Sequence, residues 1–268
     1  MRVGFIGLGG QGAPMARRIV EAGFVTTLWA RRPAALDPFA GTAAGTAGSP
    51  AELAAASDLV CLCVVADADV EQVASGVLEG LRPGGVIAVH STVHPDTCRR
   101  LAQRAAKQGV SVLDAPVSGG GRAAEQGTLL VMAGGDPEVF ASCRPVFATY
   151  GDPVVHLGPV GAGQVAKLLN NTLFTAQLAL AADTLALGGA LGLDPAALGR
   201  VLPSGSAASF ALERVADAGG TLDRIGAHAG GLLAKDVRLL GEVADAAGRT
   251  ATGPVRDAAR AALDAMGR

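Results

Sequence analysis

Aromatic residues are scarce in this chain: one Trp, one Tyr and seven Phe make up 3% of 268 residues. Its core must be built from alanine, leucine and valine. Charge is also sparse, at 17%, and nearly balanced, with 22 basic against 24 acidic residues. There is no basic tract and no interleaving of aromatic with basic residues, so a nucleic-acid surface is not expected. Half the residues are hydrophobic, which excludes a disordered chain. The four cysteines, 61, 63, 98 and 143, form no C-x-x-C pair and no metal spacing. Cys61 and Cys63 stand two apart in an apolar run and point to one face of a strand, as core thiols of a reducing compartment would. The four histidines, 90, 94, 156 and 228, give no ligand spacing, and no Ser/His/Asp arrangement stands out. Metal and covalent-nucleophile chemistry are therefore unsupported. A first strand starting at residue 2 leaves no room for a secretory leader, so a cytoplasmic protein is expected. One segment, 172–193, is apolar enough to imitate a membrane span, but Asp183 lies at its middle. A carboxylate there would cost roughly 2.5–3.5 kcal/mol on insertion scales. It reads better as the buried spine of a helical domain or as a subunit interface.

What the chain does have is glycine, and its most informative glycines come first. The apolar run Val3–Ile6 breaks into Gly7-Leu8-Gly9-Gly10-Gln11-Gly12 and then into a helical pattern carrying Met15, Ile19 and Val20. Strand, glycine turn and helix in that order form the context in which G-x-G-x-x-G signifies dinucleotide binding. Gly7 permits the tight turn, Gly9 lets the backbone approach a pyrophosphate, and Gly12 lets helix and strand pack closely.

Strands and helices then alternate. Strands are expected at 25–29, 59–65, 86–89, 110–113, 128–132 and 154–157, with helices near 50, 69–81, 95–108 and 137–147. This predicts an α/β fold, an N-terminal Rossmann domain with a doubly wound parallel sheet. Past the glycine-rich stretch 158–163 the pattern is entirely helical. The division expected is a cofactor domain over 1–160 and an all-α substrate and oligomerisation domain over 161–268, facing each other across a cleft.

Three further stretches carry candidate chemistry. At the end of the second strand, where NAD-binding units place an acid for the ribose 2′-OH, stand Arg31 and Arg32. They are either solvated loop arginines or a clamp for the 2′-phosphate of NADP, and position favours NADP over NAD. Asp114-Ala-Pro-Val-Ser-Gly-Gly-Gly121 follows a strand; Ser118 with the N–H groups of Gly119 and Gly120 could hold a carboxylate, or the segment could be a merely permissive loop. In Gly161-Ala-Gly-Gln-Val-Ala-Lys167-Leu-Leu-Asn-Asn171, Lys167 and Asn171 share a helix face. Lys167 either snorkels to solvent or is buried and suited to proton transfer. Lys235-Asp236, at first sight surface charge, is the last candidate.

Taken in order, these motifs resemble the β-hydroxyacid dehydrogenase family, which includes 3-hydroxyisobutyrate dehydrogenase and the glyoxylate/succinic semialdehyde reductases. The resemblance implies Lys167 as acid/base, and Asn171 as a residue that orients the lysine or holds the substrate. It implies Ser118, Gly119 and Gly120 at the substrate carboxylate, Val64, Val65 and Thr92 (with Ser91) beside the nicotinamide, and Lys235 in the cofactor cleft. It further implies a small hydroxy acid or aldehyde acid as substrate and hydride exchange with NADP, while the apolar helix at 172–193 suggests a homodimer or homotetramer. Imine reductases share the cofactor half but usually replace the lysine, and a non-catalytic NADP-binding module would have no need of one. Three departures, Val64-Val65 for Leu-Pro, His90 for an acid and His228 for a Phe, imply a remodelled pocket.

Overall fold

Strands buried on both faces require cover from two sides, and the side chains of the first half divide accordingly. The structure is a computed structural model that describes residues 1–249 and 253–268. Its elements run β1 Val3–Ile6, α1 Gly12–Glu21, β2 Thr26–Trp29, β3 Gly45–Thr46, α2 Pro50–Ala55, β4 Leu59–Leu62, α3 Asp67–Gly80, β5 Val86–Val89, α4 Pro95–Ala106, β6 Ser111–Asp114, β7 Val117–Ser118, α5 Gly120–Gln126, β8 Leu129–Gly134, α6 Pro137–Phe147 and β9 Gly151–Gly158. Five helices follow: α7 Ala162–Ala190, α8 Pro195–Val201, α9 Phe210–Asp217, α10 Asp223–Ala246 and α11 Pro254–Ala265. The chain separates into two compact units, Met1–Lys167 and Leu168–Arg268.

In the first unit the strand order is β3-β2-β1-β4-β5-β6-β8, with β9 on β8. Phe5, Cys61, Ala88 and Leu113 face one apolar layer, together with Met15 and Ile19 of α1 and Phe140 and Phe147 of α6. Ile6, Val60, Leu62, Ile87 and Val89 face the other, with Val70, Val73 and Val77 of α3 and Leu101 of α4. Alternate residues of one strand thus feed opposite layers, which is why the strands read as continuous apolar runs. Cys61 and Cys63 share a layer, as their spacing required. The helices start where their caps dictate: Ser49 Oγ accepts from Glu52 N at 3.1 Å before Pro50, and Asp136 accepts from Glu138 N and Val139 N before Pro137.

The sheet departs from the all-parallel expectation at one edge. β6 and β7 run as one antiparallel register along β8, from Asp114↔Gly134 to Ser118↔Leu130. Residues 119–128 alone return the chain, too few for a parallel crossover. The expected glycine loop therefore contains a short strand and opens a helix. The second unit is helical, with Leu178, Leu185, Leu212, Val215, Leu233 and Leu263 in its core. Among the described helices, α7 is long and apolar enough to cross a membrane by length and composition, and a third of its most apolar window is buried within the protein.

His90 lies in the aromatic part of the first core. It stacks on Phe5 and meets Phe147 and Tyr150 edge-on. Its Nδ1 is 2.7 Å from Ala115 O and its Nε2 is 3.1 Å from Tyr150 Oη. The carbonyl can only accept, so Nδ1 carries the proton and Nε2 accepts from the tyrosine in the neutral ring. Burial lowers its pKa to about 4, against a smaller opposing effect of the Ala115 carbonyl. An unfolded histidine protonates near 6.5, so folding is favoured in full above that pH and loses ground as pH falls towards 4. The loss amounts to about 3 kcal/mol at the acid end. Urea unfolding at pH 7 and pH 4.5 should show this decline, and His90→Gln should remove that part of the slope.

Candidate active site

Register brings the cofactor-side candidates to one edge. Trp29, Ile6, Leu62, Val89 and Asp114 are successive partners across β2, β1, β4, β5 and β6. The residues that follow them leave the sheet together at its carboxyl edge. Arg31 and Arg32, Gly7, Val64, Ser91 and Thr92, and the turn to Ser118 all belong to this set. Strand order reverses at β1, between β2 and β4, and open α/β sheets bind ligands at such a point.

The glycine turn is built for close approach. Gly7 has φ +103°, and a Cβ on Gly12 would sit 1.9 Å from Gly7 O. Gly9 and Gly10 differ, because nothing lies within 4 Å of an added Cβ at either. Protein packing does not demand glycine there, whereas a pyrophosphate laid against the backbone would. Unlike α2 and α6, α1 has no side-chain cap and no acid in its first turn. Its N-terminus therefore suits an anion. Leu8 packs into the layer beneath, and Gln11 occupies the N-cap position. An added Cβ on Gly121 would lie 2.7 Å from Gly10 O, so the Ser118–Gly121 turn abuts the glycine turn directly. Gly119 and Gly120 both have positive φ, +130° and +73°.

Arg31 and Arg32 are exposed. Arg31 Nη2 lies 2.9 Å from Asp69 Oδ1 at the start of α3, and Asp69 Oδ2 accepts from Ala66 N at 3.2 Å. The pair ties the end of β2 to α3. Val64 is half-buried and Val65 is 67% exposed. Ser91 is buried, and its Oγ accepts from Val64 N at 2.8 Å; Thr92 beside it is half-buried. His90, expected to alter the pocket, points into the core instead.

The strongest local feature is Asp114, fully buried at the end of β6. Its Oδ1 accepts from Gly161 N at 2.6 Å and its Oδ2 from Gln164 N at 2.8 Å, so it caps α7 from a strand. Burial pushes its carboxyl up from the ordinary range, and these N–H groups hold it down. A Cβ on Gly163 would lie 2.2 Å from Met132 O, so the helix sits directly on β8. One turn on, Lys167 is buried, 7% exposed, which selects the buried alternative over snorkelling. Sequence reasoning assigned no role to Asp114 or Gln164. The available signal was an acid ending an apolar strand, where burial demands partners.

In the second unit, Asn171 Nδ2 donates to Asp236 Oδ2 at 2.6 Å, and its Oδ1 accepts from Asn170 Nδ2 at 3.0 Å. The amide is thereby oriented. Lys235 Nζ is 3.3 Å from Asp236 Oδ1, and Asp236 is 3% exposed. The Lys-Asp pair is thus not the surface charge it resembled, and Asp236, which sequence reasoning left without a role, is buried against the candidate Asn171. His228 is exposed on α10, its Nδ1 2.7 Å from Arg224 O of the same helix.

Known proteins match both parts of the chain. Residues 2–158 match the family model for the NAD binding domain of 6-phosphogluconate dehydrogenase. Residues 161–268 match the model for the NAD-binding domain of NADP-dependent 3-hydroxyisobutyrate dehydrogenase. The chain is 35% identical over 255 residues to an NAD-dependent L-serine dehydrogenase of Pseudomonas aeruginosa, covering 91% of this chain and 86% of that protein. It is 37% identical over 213 residues to the 3-hydroxyisobutyrate dehydrogenase of the same organism, covering 78% and 72%. A solved structure of Mycobacterium tuberculosis 3-hydroxyisobutyrate dehydrogenase with L-serine superposes with a TM-score of 0.84 at 29% identity, covering 97% of this chain and 91% of that one.

The close approach at Gly12 gives a direct test. Gly12→Ala forces the turn open, and fluorescence titration should show affinity for the reduced nicotinamide dinucleotide lowered about tenfold or more, with the fold retained by circular dichroism.

Proposed function

The chain belongs to the β-hydroxyacid dehydrogenase family, and on that premise we propose that it exchanges a hydride between NADP(H) and a small β-hydroxy acid or its semialdehyde. That it is an NAD(P)-dependent hydroxyacid dehydrogenase follows from relatives along nearly its whole length. The observation that carries the proposal further is Lys167. It is a buried lysine one turn along a helix whose start is pinned by Asp114 to the edge that bears the glycine turn.

The nicotinamide, when bound, supplies or accepts the hydride. In the reducing direction, Lys167 Nζ donates a proton to the carbonyl oxygen of the substrate, and it takes a proton from the hydroxyl in oxidation. Asn171 follows one helical turn later with its amide already oriented by Asp236. Ser118, Gly119 and Gly120 hold the substrate carboxylate and so determine which carbon faces the hydride. Gly7 to Gly12 hold the pyrophosphate, Val64, Val65 and Thr92 flank the nicotinamide, and Lys235 serves the cofactor. Arg31 and Arg32 take the 2′-phosphate, and no acid stands between Trp29 and Asp37 to hold a ribose 2′-OH instead. An imine reductase is the weaker reading because Lys167 is present, and a non-catalytic binder has no use for a buried proton donor.

Leu169, Leu173, Leu180 and Leu187 are each about half exposed along α7. A second copy of the chain covers this row, giving a homodimer or homotetramer in the cytoplasm. Light scattering should return at least twice the chain's 26.5 kDa.

Lys167→Ala should lower turnover by about 10²- to 10⁴-fold and leave NADPH affinity within a factor of about two. Unchanged turnover would remove the lysine from the mechanism. Arg31→Ala with Arg32→Ala should weaken NADPH binding far more than NADH binding, measured by parallel titrations.

A further inference from the structure

Between the loop after β5 and the first turn of α7 lies a buried polar link made by one side chain. Gln164 is fully buried on the first turn of α7. Its Oε1 accepts from Val93 N at 3.1 Å, and its Nε2 donates to Ser91 O at 2.8 Å. The link continues beyond Ser91, whose Oγ accepts from Val64 N at 2.8 Å. One amide thus engages the loop after β5, and that loop engages the one after β4. Asp67 stitches the same two loops again, accepting at Oδ1 from His94 N at 2.9 Å and from Thr97 Oγ1 at 2.7 Å. Gln164's own backbone N–H is held by Asp114.

We propose that Gln164 is a positioning residue that sets Lys167 in register with the nicotinamide-side loops, a role that rests on the dehydrogenase reading above. Lys167 stands three residues beyond Gln164, on the neighbouring face of the same helical turn. Asp114 fixes the start of the helix along the sheet edge through the backbone N–H groups of Gly161 and Gln164, and a side-chain contact to a second loop further restrains rotation about the helix axis. Gln164 supplies that constraint, because its planar amide meets a donor and an acceptor on the other loop at once. A primary amide presents an acceptor and a donor side by side without charge. A Met of similar length would leave Val93 N and Ser91 O unpaired in the interior. A Glu would keep the acceptor for Val93 N and present a second acceptor to Ser91 O.

The test compares the parent enzyme with Gln164→Met and Gln164→Glu, each confirmed folded by circular dichroism. Four quantities are read: NADPH affinity, turnover with a semialdehyde acid, the primary isotope effect from 4-deuterated NADPH, and hydrogen exchange at Val64 and Val93. NADPH affinity should stay within about twofold, since the residues proposed to hold the phosphates, Gly7 to Gly12 with Arg31 and Arg32, are not those that Gln164 bonds. Turnover should fall about 10- to 100-fold, the scale of a misplacement near 1 Å. The isotope effect should rise as hydride transfer becomes limiting, and Val93 exchange should accelerate. Gln164→Glu should show the same direction with Val93 protection kept, which covers the case of a Gln164→Met that fails to fold. A folded variant with turnover within twofold of the parent, or with an unchanged isotope effect, overturns the role of Gln164 alone. A parent that reduces no carbonyl overturns the dehydrogenase reading, and the positioning role with it.

Discussion

The carboxylate of Asp114 is the contact on which the working geometry depends. A helix begins with several N–H groups that no residue of its own can satisfy. Here the N–H groups of Gly161 and Gln164 are met by an acid at the end of a central strand, fully buried. A buried carboxylate is costly unless hydrogen-bonded, and a helix N-terminus favours negative charge. Each side therefore offsets the other's cost. The result is that α7 starts at the same sheet edge where the glycine turn, Val64, Ser91 and Ser118 emerge. Lys167 follows on the second turn of that helix, buried.

Two kinds of precision meet at that edge. The glycine turn owes its shape to absent side chains: Gly12 must pass Gly7 O, and Gly121 must pass Gly10 O. The loops after β4 and β5 owe theirs to polar side chains used at both ends, with Ser91, Asp67 and Gln164 each joining two segments. Functional sites need such pre-set geometry because small displacements cost large factors in rate. The few aromatic residues serve elsewhere: Phe5, Phe147 and Tyr150 surround His90 in the core beneath the edge.

Local patterns made much of this legible. Val3–Ile6 followed by Gly7 to Gly12 carried its own meaning, since strand, turn and helix are contiguous and each glycine meets its constraint within a few residues. The run 59–65 announced a strand with two buried faces, and Lys167 among Val165, Ala166, Leu168 and Leu169 announced a cation in an apolar setting. What stayed hidden depends on long-range pairing. The antiparallel turn of the sheet at β8 follows from how short the 119–128 connection is in space, and the triple glycine at 119–121 masked a helix start. Asp236 read as surface charge because nothing near it in sequence shows that Asn171 lies 2.6 Å away. His90 read as a pocket residue because its neighbours Ser91 and Thr92 are at the edge, whereas the pleat turns its ring inward. Asp114 and Gln164 are fifty residues apart in the chain, and only the fold brings them together.

The most direct test of the central claim is steady-state oxidation of NADPH and NADH by the purified protein. The panel comprises succinic semialdehyde, methylmalonate semialdehyde, glyoxylate and a cyclic imine, with L-serine and 3-hydroxyisobutyrate in the reverse direction. A hydroxyacid dehydrogenase built on Lys167, Arg31 and Arg32 should turn over at least one aldehyde acid, prefer NADPH and leave the imine untouched. Turnover confined to the imine, or none with any carbonyl acid or hydroxy acid, would contradict it.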